Sequence, residues 1–533
     1  MESFDVIIVG AGAGGLSAGW QISKSGLKVA CFEMGDKINK EDIIPIKQGG
    51  EIQKFDFLNS NPNIRKLKND YQIDSNASPI NIANFNGVGG STTLFSAQYP
   101  RMNDTDFNVR TLDKVANDWP ISLNDLEKYY SLNDKITGLA GLKGDPFYPN
   151  VYPNMPPVPL GPMGRKIAKA FDDLNWHWWP AYSAINTSKF NGRVSDNYKR
   201  PSNLGDFTGS KGSVENTYLP LALKNGLILK TNTTVLKLNV DVKTGFIESI
   251  NYKDSNNKFS RAYAKIFIIA ASGIGTPRLL LSSKSESLPN GIANSSDMVG
   301  RNLMLHPLGY VEGIFDENIF SNIGPQGCCL LSQEFLKTNL ERDFIRGYTF
   351  QVIRGPLPIE SGLNLTARKI IKFGNNFYEG FKNYYNHTAH ITVITEDLPD
   401  KNNRVKLDLK DKKDFKNNVK IQYQLSQNTK NMLIHGLNKG RIIMKKANAI
   451  KSYAYGPVRD TGWHTLGTCR MGKNKNNSVV NKYGKTHDFE NLFITDGSIF
   501  VTSGGVNPAS TIQALSLYIS EMILKRYKKL LAN

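Results

Sequence analysis

Three glycines near the start of the chain, Gly10, Gly12 and Gly15, stand in a G-x-G-x-x-G spacing. That spacing has a chemical use. The first glycine permits a tight turn, the second lets the backbone approach a pyrophosphate, and the third lets a helix pack closely on its strand. A helix opening at this turn, through Ala13 and Gly14, aims free backbone N–H groups at negative phosphate. Glu33 follows 18 residues after Gly15, where a carboxylate accepts hydrogen bonds from a ribose hydroxyl. The spacing alone is a weak signal, and its surroundings make it a strong one. An apolar run, Asp5-Val-Ile-Ile-Val9, precedes the turn; Leu16 to Ser25 reads as a helix ended by Gly26; Lys28 to Glu33 reads as a second strand. This strand–turn–helix–strand unit predicts a bound dinucleotide without choosing between FAD and NAD.

Other chemistries lack their residues. The four cysteines (Cys31, Cys328, Cys329, Cys469) form no CxxC pair, so no zinc or iron–sulfur site is expected, and no metal. They are too few for a disulfide scaffold and suit a reducing, cytoplasmic setting. Basic residues outnumber acidic ones, 66 to 47, for a net charge of +19. The lysines are scattered, however, and no run resembles a nucleic-acid arm. The densest cluster, Lys525, Arg526, Lys528 and Lys529, falls at the end of the last expected helix, where cations complement the helix dipole. No apolar stretch is long enough to span a bilayer, and the start of the chain has no signal-peptide pattern, so a soluble protein is expected, with a partner subunit left open.

A second glycine-rich block, Gly87-Val-Gly-Gly-Ser-Thr-Thr93, continues to Arg101. With it come Trp119-Pro-Ile121, Gly275-Thr-Pro-Arg-Leu-Leu-Leu281, Val299-Gly-Arg-Asn-Leu303 with His306-Pro307, His464-Thr-Leu-Gly-Thr-Cys-Arg-Met-Gly472, Asp496-Gly497 and Asn507-Pro508. In that order these blocks resemble the glucose–methanol–choline (GMC) oxidoreductases, most closely the branch of pyranose oxidase, fructose dehydrogenase and gluconate dehydrogenase. The resemblance implies FAD, held by Gly10, Gly12, Ala13, Gly14, Gly15 and Glu33, by Gly87, Gly89, Gly90, Ser91 and Thr92, and by Val235, Ala271, Asp496, Gly497, Asn507, Pro508 and Thr511. Leu94 stands where pyranose oxidase carries the histidine that binds FAD covalently, which implies non-covalent FAD here. The stretch 194–210 lacks the cysteines common in gluconate-dehydrogenase-like flavoproteins.

The resemblance makes His464 the base that takes a hydroxyl proton and Asn507 the group that orients the oxygen, while hydride passes from carbon to flavin. Histidine titrates near neutrality, and asparagine donates to a developing alkoxide without competing as a base. Asn507 before Pro508 also suits a helix N-cap. His306 reads as structural, Cys469 as packing, and Trp176-His-Trp-Trp179 as a buried aromatic cluster rather than a sugar-stacking surface. The implied function is oxidation of an alcohol, sugar, sugar acid or polyol, with dioxygen, a quinone or a cytochrome as acceptor. The alternatives are a GMC-type lyase without net redox change and a flavoprotein subunit of a larger dehydrogenase.

The elements that must position these residues predict an α/β fold with an added antiparallel part. That is a Rossmann-like FAD-binding domain (1–307 and 456–533) carrying an inserted substrate domain on an antiparallel sheet (308–455, with a contribution from 155–205). Strands are expected at Leu227–Thr231, Val235–Val240, Phe246–Asn251, Lys265–Ala271 and Leu492–Thr495. A helix is expected at Arg278–Ser283. The inserted sheet is expected to hold Tyr348–Ile353, His390–Thr395, Val405–Leu409 and Val419–Tyr423, closed by a helix over about 428–446.

Overall fold

The computed structural model describes residues 2–206, 208–241, 243–323, 328–408 and 418–532. Its centre is a seven-stranded sheet around the first strand, Glu2–Val9, whose inner residues Val6, Ile7 and Ile8 are fully buried. A strand apolar on both faces needs cover on both faces, which a parallel sheet provides. Val29–Phe32 pairs with it in parallel on one side and Phe259–Ile269 on the other. Leu492–Ile494 adds in parallel to the latter, and Ile228–Lys230 to the former. The register sets Val9 beside Phe32 and Ile269, and Ile269 beside Ile494. Four parallel strands therefore end together, and ligands of open parallel sheets bind at that edge. The antiparallel hairpin Thr234–Val240 and Ile247–Lys253 completes the sheet.

A second, six-stranded antiparallel sheet runs in the order Lys451–Tyr455, Leu308–Ile314, Thr388–Thr395, Tyr348–Ile353, Cys328–Ser332, Trp179–Pro180. The helices Gly161–Asp172 and Gln427–Lys446 cover one face, packing Ile167, Phe171, Met432 and Ile443 into its core. Trp179–Pro180 forms one edge of this sheet, pairing with Leu330 and Leu331.

Two expectations need correction. Arg404–Leu407 and Val419–Gln422 do not join the inserted sheet; they pair with each other and, through Val419 and Ile73, with Ile73–Ala77 in a separate three-stranded sheet. The pairing partner lies some 346 residues earlier in the chain, so no local pattern announces it. The expected strand end at Leu409 lies outside the described residues. The helix expected from Arg278 begins earlier, at Ser272, with Pro277 inside it. Proline removes the N–H that would bond the Gly273 carbonyl, and the Thr468 hydroxyl supplies that donor instead at 2.7 Å.

Candidate active site

A cavity of about 450 Å³ lies between the edge where the parallel strands end and the open face of the antiparallel sheet. Its first wall is mostly bare backbone. Gly10 has φ +103°, and a Cβ there would come within 2.4 Å of the Ala270 carbonyl oxygen. The helix Ala13–Ser23 begins at the cavity with neither a side-chain cap nor an acidic residue in its first turn. Gly12 and Gly90 pack against one another in this wall, such that a Cβ on Gly90 would stand 2.8 Å from the Gly12 Cα. Glu33 is buried, and its carboxylate accepts from the Ala11 N–H at 2.8 Å and the Gly35 N–H at 2.9 Å. Burial pushes its carboxyl above the ordinary range against the pull of those N–H groups. A slot without side chains, a bare helix start and a carboxylate at its rim fit a dinucleotide.

Most residues singled out from the sequence line this cavity. Gly10, Gly12, Ala13, Gly14 and Glu33 do so from the first unit; Gly90, Ser91 and Thr92 from the second glycine loop. Val235, Ala271, Asp496, Gly497, Asn507 and Pro508 also reach it, as does Leu94. Four stand behind the wall. A Cβ on Gly15 would meet the Gly10 oxygen at 1.8 Å, so this glycine serves helix–strand contact. Gly87 sits against Phe85 and the Asp36 carbonyl, and Gly89 against Glu215 and Thr93. Thr511 is fully buried, with its hydroxyl 2.7 Å from that of Tyr130. Asp496 acts on the wall from beneath: its carboxylate accepts from the Ser272 N–H at 3.0 Å, the Thr276 hydroxyl at 2.5 Å and the Ser498 N–H at 2.8 Å.

The chemistry-bearing side chains meet where the two walls join. Met304 and Leu466 exchange backbone hydrogen bonds at 3.0 and 3.1 Å. Antiparallel pairing at 304 and 466 sets His306 opposite His464, and their Nδ1 atoms are 3.0 Å apart. His306 Nε2 is 2.5 Å from the Gly504 carbonyl oxygen. A carbonyl can only accept, so His306 carries its hydrogen on Nε2 and, when neutral, presents a bare Nδ1. His464 must then donate from its own Nδ1, which leaves its Nε2 as a bare lone pair. Both rings favour the neutral form. Burial pushes His306 down to about 4, and burial together with the neighbouring His306 holds His464 well below the ordinary range.

The amide Nδ2 of Asn507 lies 3.5 Å from His464 Nε2. Gln351 fixes that amide by donating from Nε2 to Asn507 Oδ1 at 2.5 Å. A base lone pair and an N–H donor therefore stand side by side on the cavity wall. Asn507 is not the helix N-cap: Pro508 occupies that position before Ala509–Arg526.

Residues 165–308 and 399–516 match the GMC oxidoreductase family, and residues 8–39 match an NAD(P)-binding Rossmann-like domain. The chain belongs to the GMC oxidoreductase family. It is similar to 2-methyl-1,2-propanediol dehydrogenase of Mycolicibacterium austroafricanum, with 33% identity covering 99% of this chain and 96% of that protein. It is also similar to the fructose dehydrogenase large subunit of Gluconobacter japonicus, with 27% identity covering 99% of each. A third relative is the gluconate 2-dehydrogenase flavoprotein of Pantoea cypripedii, with 24% identity covering 99% of this chain and 95% of that one. The solved structure of pyridoxine 4-oxidase from Mesorbium loti shares the fold, with a TM-score of 0.67 at 15% identity over 98% of this chain and 99% of that one. This GMC oxidoreductase is accordingly a flavin-dependent enzyme acting on CH–OH groups. No helix among the described residues is long and apolar enough to cross a membrane.

Two further residues of this GMC oxidoreductase touch the reacting pair. His306, expected to be structural, touches His464 and holds φ +50°, a left-handed conformation uncommon outside glycine. Gln351 is a polar residue inside the buried strand Tyr348–Ile353, and that oddity was its only local signal. Trp176, His177, Trp178 and Trp179 are half-buried and stand away from the cavity. Trp178 is tied to Asp172 at 2.7 Å and Trp179 to the Leu142 carbonyl at 2.9 Å. Cys469 is fully buried. No group of three metal-ligating side chains occurs among the described residues.

Proposed function

We propose that the protein oxidises an alcohol, most suitably a diol, polyol or sugar, with His464 as base and Asn507 orienting the oxygen. The observation that carries this reading is the hydrogen-bond chain Gly504 carbonyl–His306–His464, which leaves His464 Nε2 as a lone pair 3.5 Å from the Asn507 amide donor. A hydroxyl between them gives its proton to His464 Nε2 while its oxygen accepts from Asn507 Nδ2. His306 Nδ1, accepting from His464 Nδ1, keeps the base in the productive tautomer. Burial keeps His464 neutral at rest, so its Nε2 lone pair is unoccupied at neutral pH. Bound FAD supplies the acceptor for the hydride that leaves the same carbon.

We read the FAD as non-covalent, because Leu94 offers no nucleophile at the wall of the cavity. Residues 1–307 with 456–533 are taken as the flavin-holding part. The antiparallel sheet of 308–455, extended by Trp179–Pro180, is taken as the substrate part. The names of two relatives, a large subunit and a flavoprotein, favour a partner subunit that receives the electrons.

The test is spectroscopic. The purified protein is examined for a flavin band, then mixed without oxygen with 2-methyl-1,2-propanediol, fructose, gluconate, simple alcohols and choline. Bleaching by one class supports the reading and names the substrate, and admitting air then separates an oxidase from a dehydrogenase. A flavin that none of them bleaches favours the lyase alternative, and a protein that cannot take up FAD overturns the reading.

A further inference from the structure

The open face of the antiparallel sheet carries a second polar cluster, outward from the reacting pair. Gln351, which orients Asn507, lies opposite Thr392, and Thr392 lies opposite Tyr310. One step outward along the same strands, His390 lies opposite Glu312, and Glu312 opposite Tyr453. Residues two apart share a face and are about 7 Å apart along a strand. His390 lines the cavity, with Tyr310 and Tyr455 beside it.

Glu312 is buried behind this ring. His390 Nε2 is 3.1 Å from Glu312 Oε1, and the Arg368 guanidinium contacts Oε2. Burial opposes ionisation of Glu312, but His390 and Arg368 hold its carboxyl below the ordinary range. A carboxylate at Nε2 favours a hydrogen on that nitrogen, which leaves Nδ1 as the ring atom for other partners. Nδ1 makes no hydrogen bond among the described residues. Buried polar atoms of the cluster that lack a hydrogen bond include Arg368 Nη1, Tyr453 Oη and His390 Nε2, whose contact with Glu312 is an ion-pair approach only. Buried polar atoms without partners cost stability unless something else satisfies them.

We propose that His390, backed by Glu312 and Arg368, binds a second hydroxyl group of the substrate, remote from the one being oxidised. The inference rests on the reading of the site above and deepens it: the preferred substrate is a polyol whose second hydroxyl lies several bonds from the reacting carbon. A hydroxyl suits Nδ1 in either state, donating to the bare nitrogen or accepting from a protonated one. A vicinal diol keeps its second hydroxyl beside Asn507, one strand step short of His390. An aliphatic chain without a second hydroxyl leaves His390 unsatisfied.

Three compounds separate these cases: 1,4-butanediol, its isomer 1,2-butanediol, and 1-pentanol, which has the same number of heavy atoms. The holoenzyme and its His390→Leu and His390→Gln variants are compared by kcat/KM for each, after matched flavin content confirms folding. The expected result for His390→Leu is a loss of roughly tenfold or more with 1,4-butanediol and less than about threefold with the other two. Gln, which retains a hydrogen-bonding end, restores part of the loss. An equal loss with all three compounds, or none with any, overturns the subsite. If no compound reduces the wild-type flavin, the oxidation reading fails separately, and the subsite is judged by titrating each compound against the bound-flavin spectrum. Tighter 1,4-butanediol binding to wild type than to His390→Leu then supports it, and indistinguishable titrations overturn it.

Discussion

The two walls of the cavity are built on opposite principles. The parallel-sheet wall recognises its ligand by lacking side chains: Gly10, Gly12 and Gly90 expose backbone, and nearly every determinant of the first turn falls within 24 residues, Gly10 to Glu33. The antiparallel wall works through side chains on strands that meet only in the folded protein, as when His306 meets His464 across 158 residues and Gln351 meets Asn507 across 156. A backbone cradle tolerates no added atom. A side-chain wall tolerates changes of size and loses function through its hydrogen bonds. The walls should therefore fail differently when mutated.

The largest effect is expected at the junction. His464→Ala removes the base, and flavin reduction should slow by about 10²–10⁴-fold with flavin content unchanged. Anaerobic stopped-flow reduction measures this, and a near-normal rate would remove His464 from the mechanism. The contrasting prediction concerns the glycine wall. Gly90→Val puts a branched side chain where even a Cβ would stand 2.8 Å from the Gly12 Cα. Forcing atoms into such a contact costs about 1–3 kcal/mol, and it pushes apart the two glycine turns that line the cavity. The variant should purify with at least tenfold weaker FAD retention, and full flavin occupancy would show that the slot opens more freely than its geometry suggests.

A smaller effect sharpens the side-chain half. Gln351→Leu keeps the volume but removes the donor to Asn507 Oδ1, freeing the amide to turn. A loss of roughly tenfold in the flavin-reduction rate is expected, with FAD binding intact. Loss of flavin instead would mean that Gln351 supports the cradle and not the reacting pair.

The same contrast decides what could be read from the chain. The glycine wall was legible because its spacing, its flanking strands and Glu33 are neighbours in sequence. Only Gly15, Gly87, Gly89 and Thr511 fall behind the surface, since a motif names residues without saying which face they present. His464 and Asn507 were legible through resemblance, not through spacing. The contact of His306 with His464 was not legible, because the Met304–Leu466 pairing that makes it has no local signature. Strands 404–407 and 419–422 were assigned to the wrong sheet for the same reason, their partner being Ile73–Ala77. The helix start at Ser272 was missed because Pro277 argues against a helix until the Thr468 hydroxyl is known to satisfy Gly273.

The smallest expected effect tests whether the two histidines are held neutral. His306 is pushed by burial from an ordinary 6.5 to about 4. Between those values the unfolded chain binds a proton that the folded protein refuses. Stability from this group is therefore fully present above about 6.5 and is lost as pH falls toward about 4. His435 is pushed by burial to about 4 as well, so the wild-type melting curve alone cannot isolate His306. The difference between wild type and His306→Asn cancels His435 and reports on His306 together with its effect on His464. The melting-temperature advantage of wild type should narrow as pH falls from 6.5 toward 4, and a gap independent of pH would mean that His306 takes up its proton as readily in the folded protein as in the unfolded chain. A charged His306 has no bare Nδ1 to accept from His464, so in that outcome the tautomer on which the base depends would be lost as pH falls through about 6.5. If the gap narrows as expected, the wild-type rate of flavin reduction should stay level as pH falls through 6.5, because His464, buried beside His306, takes up its proton only well below that value.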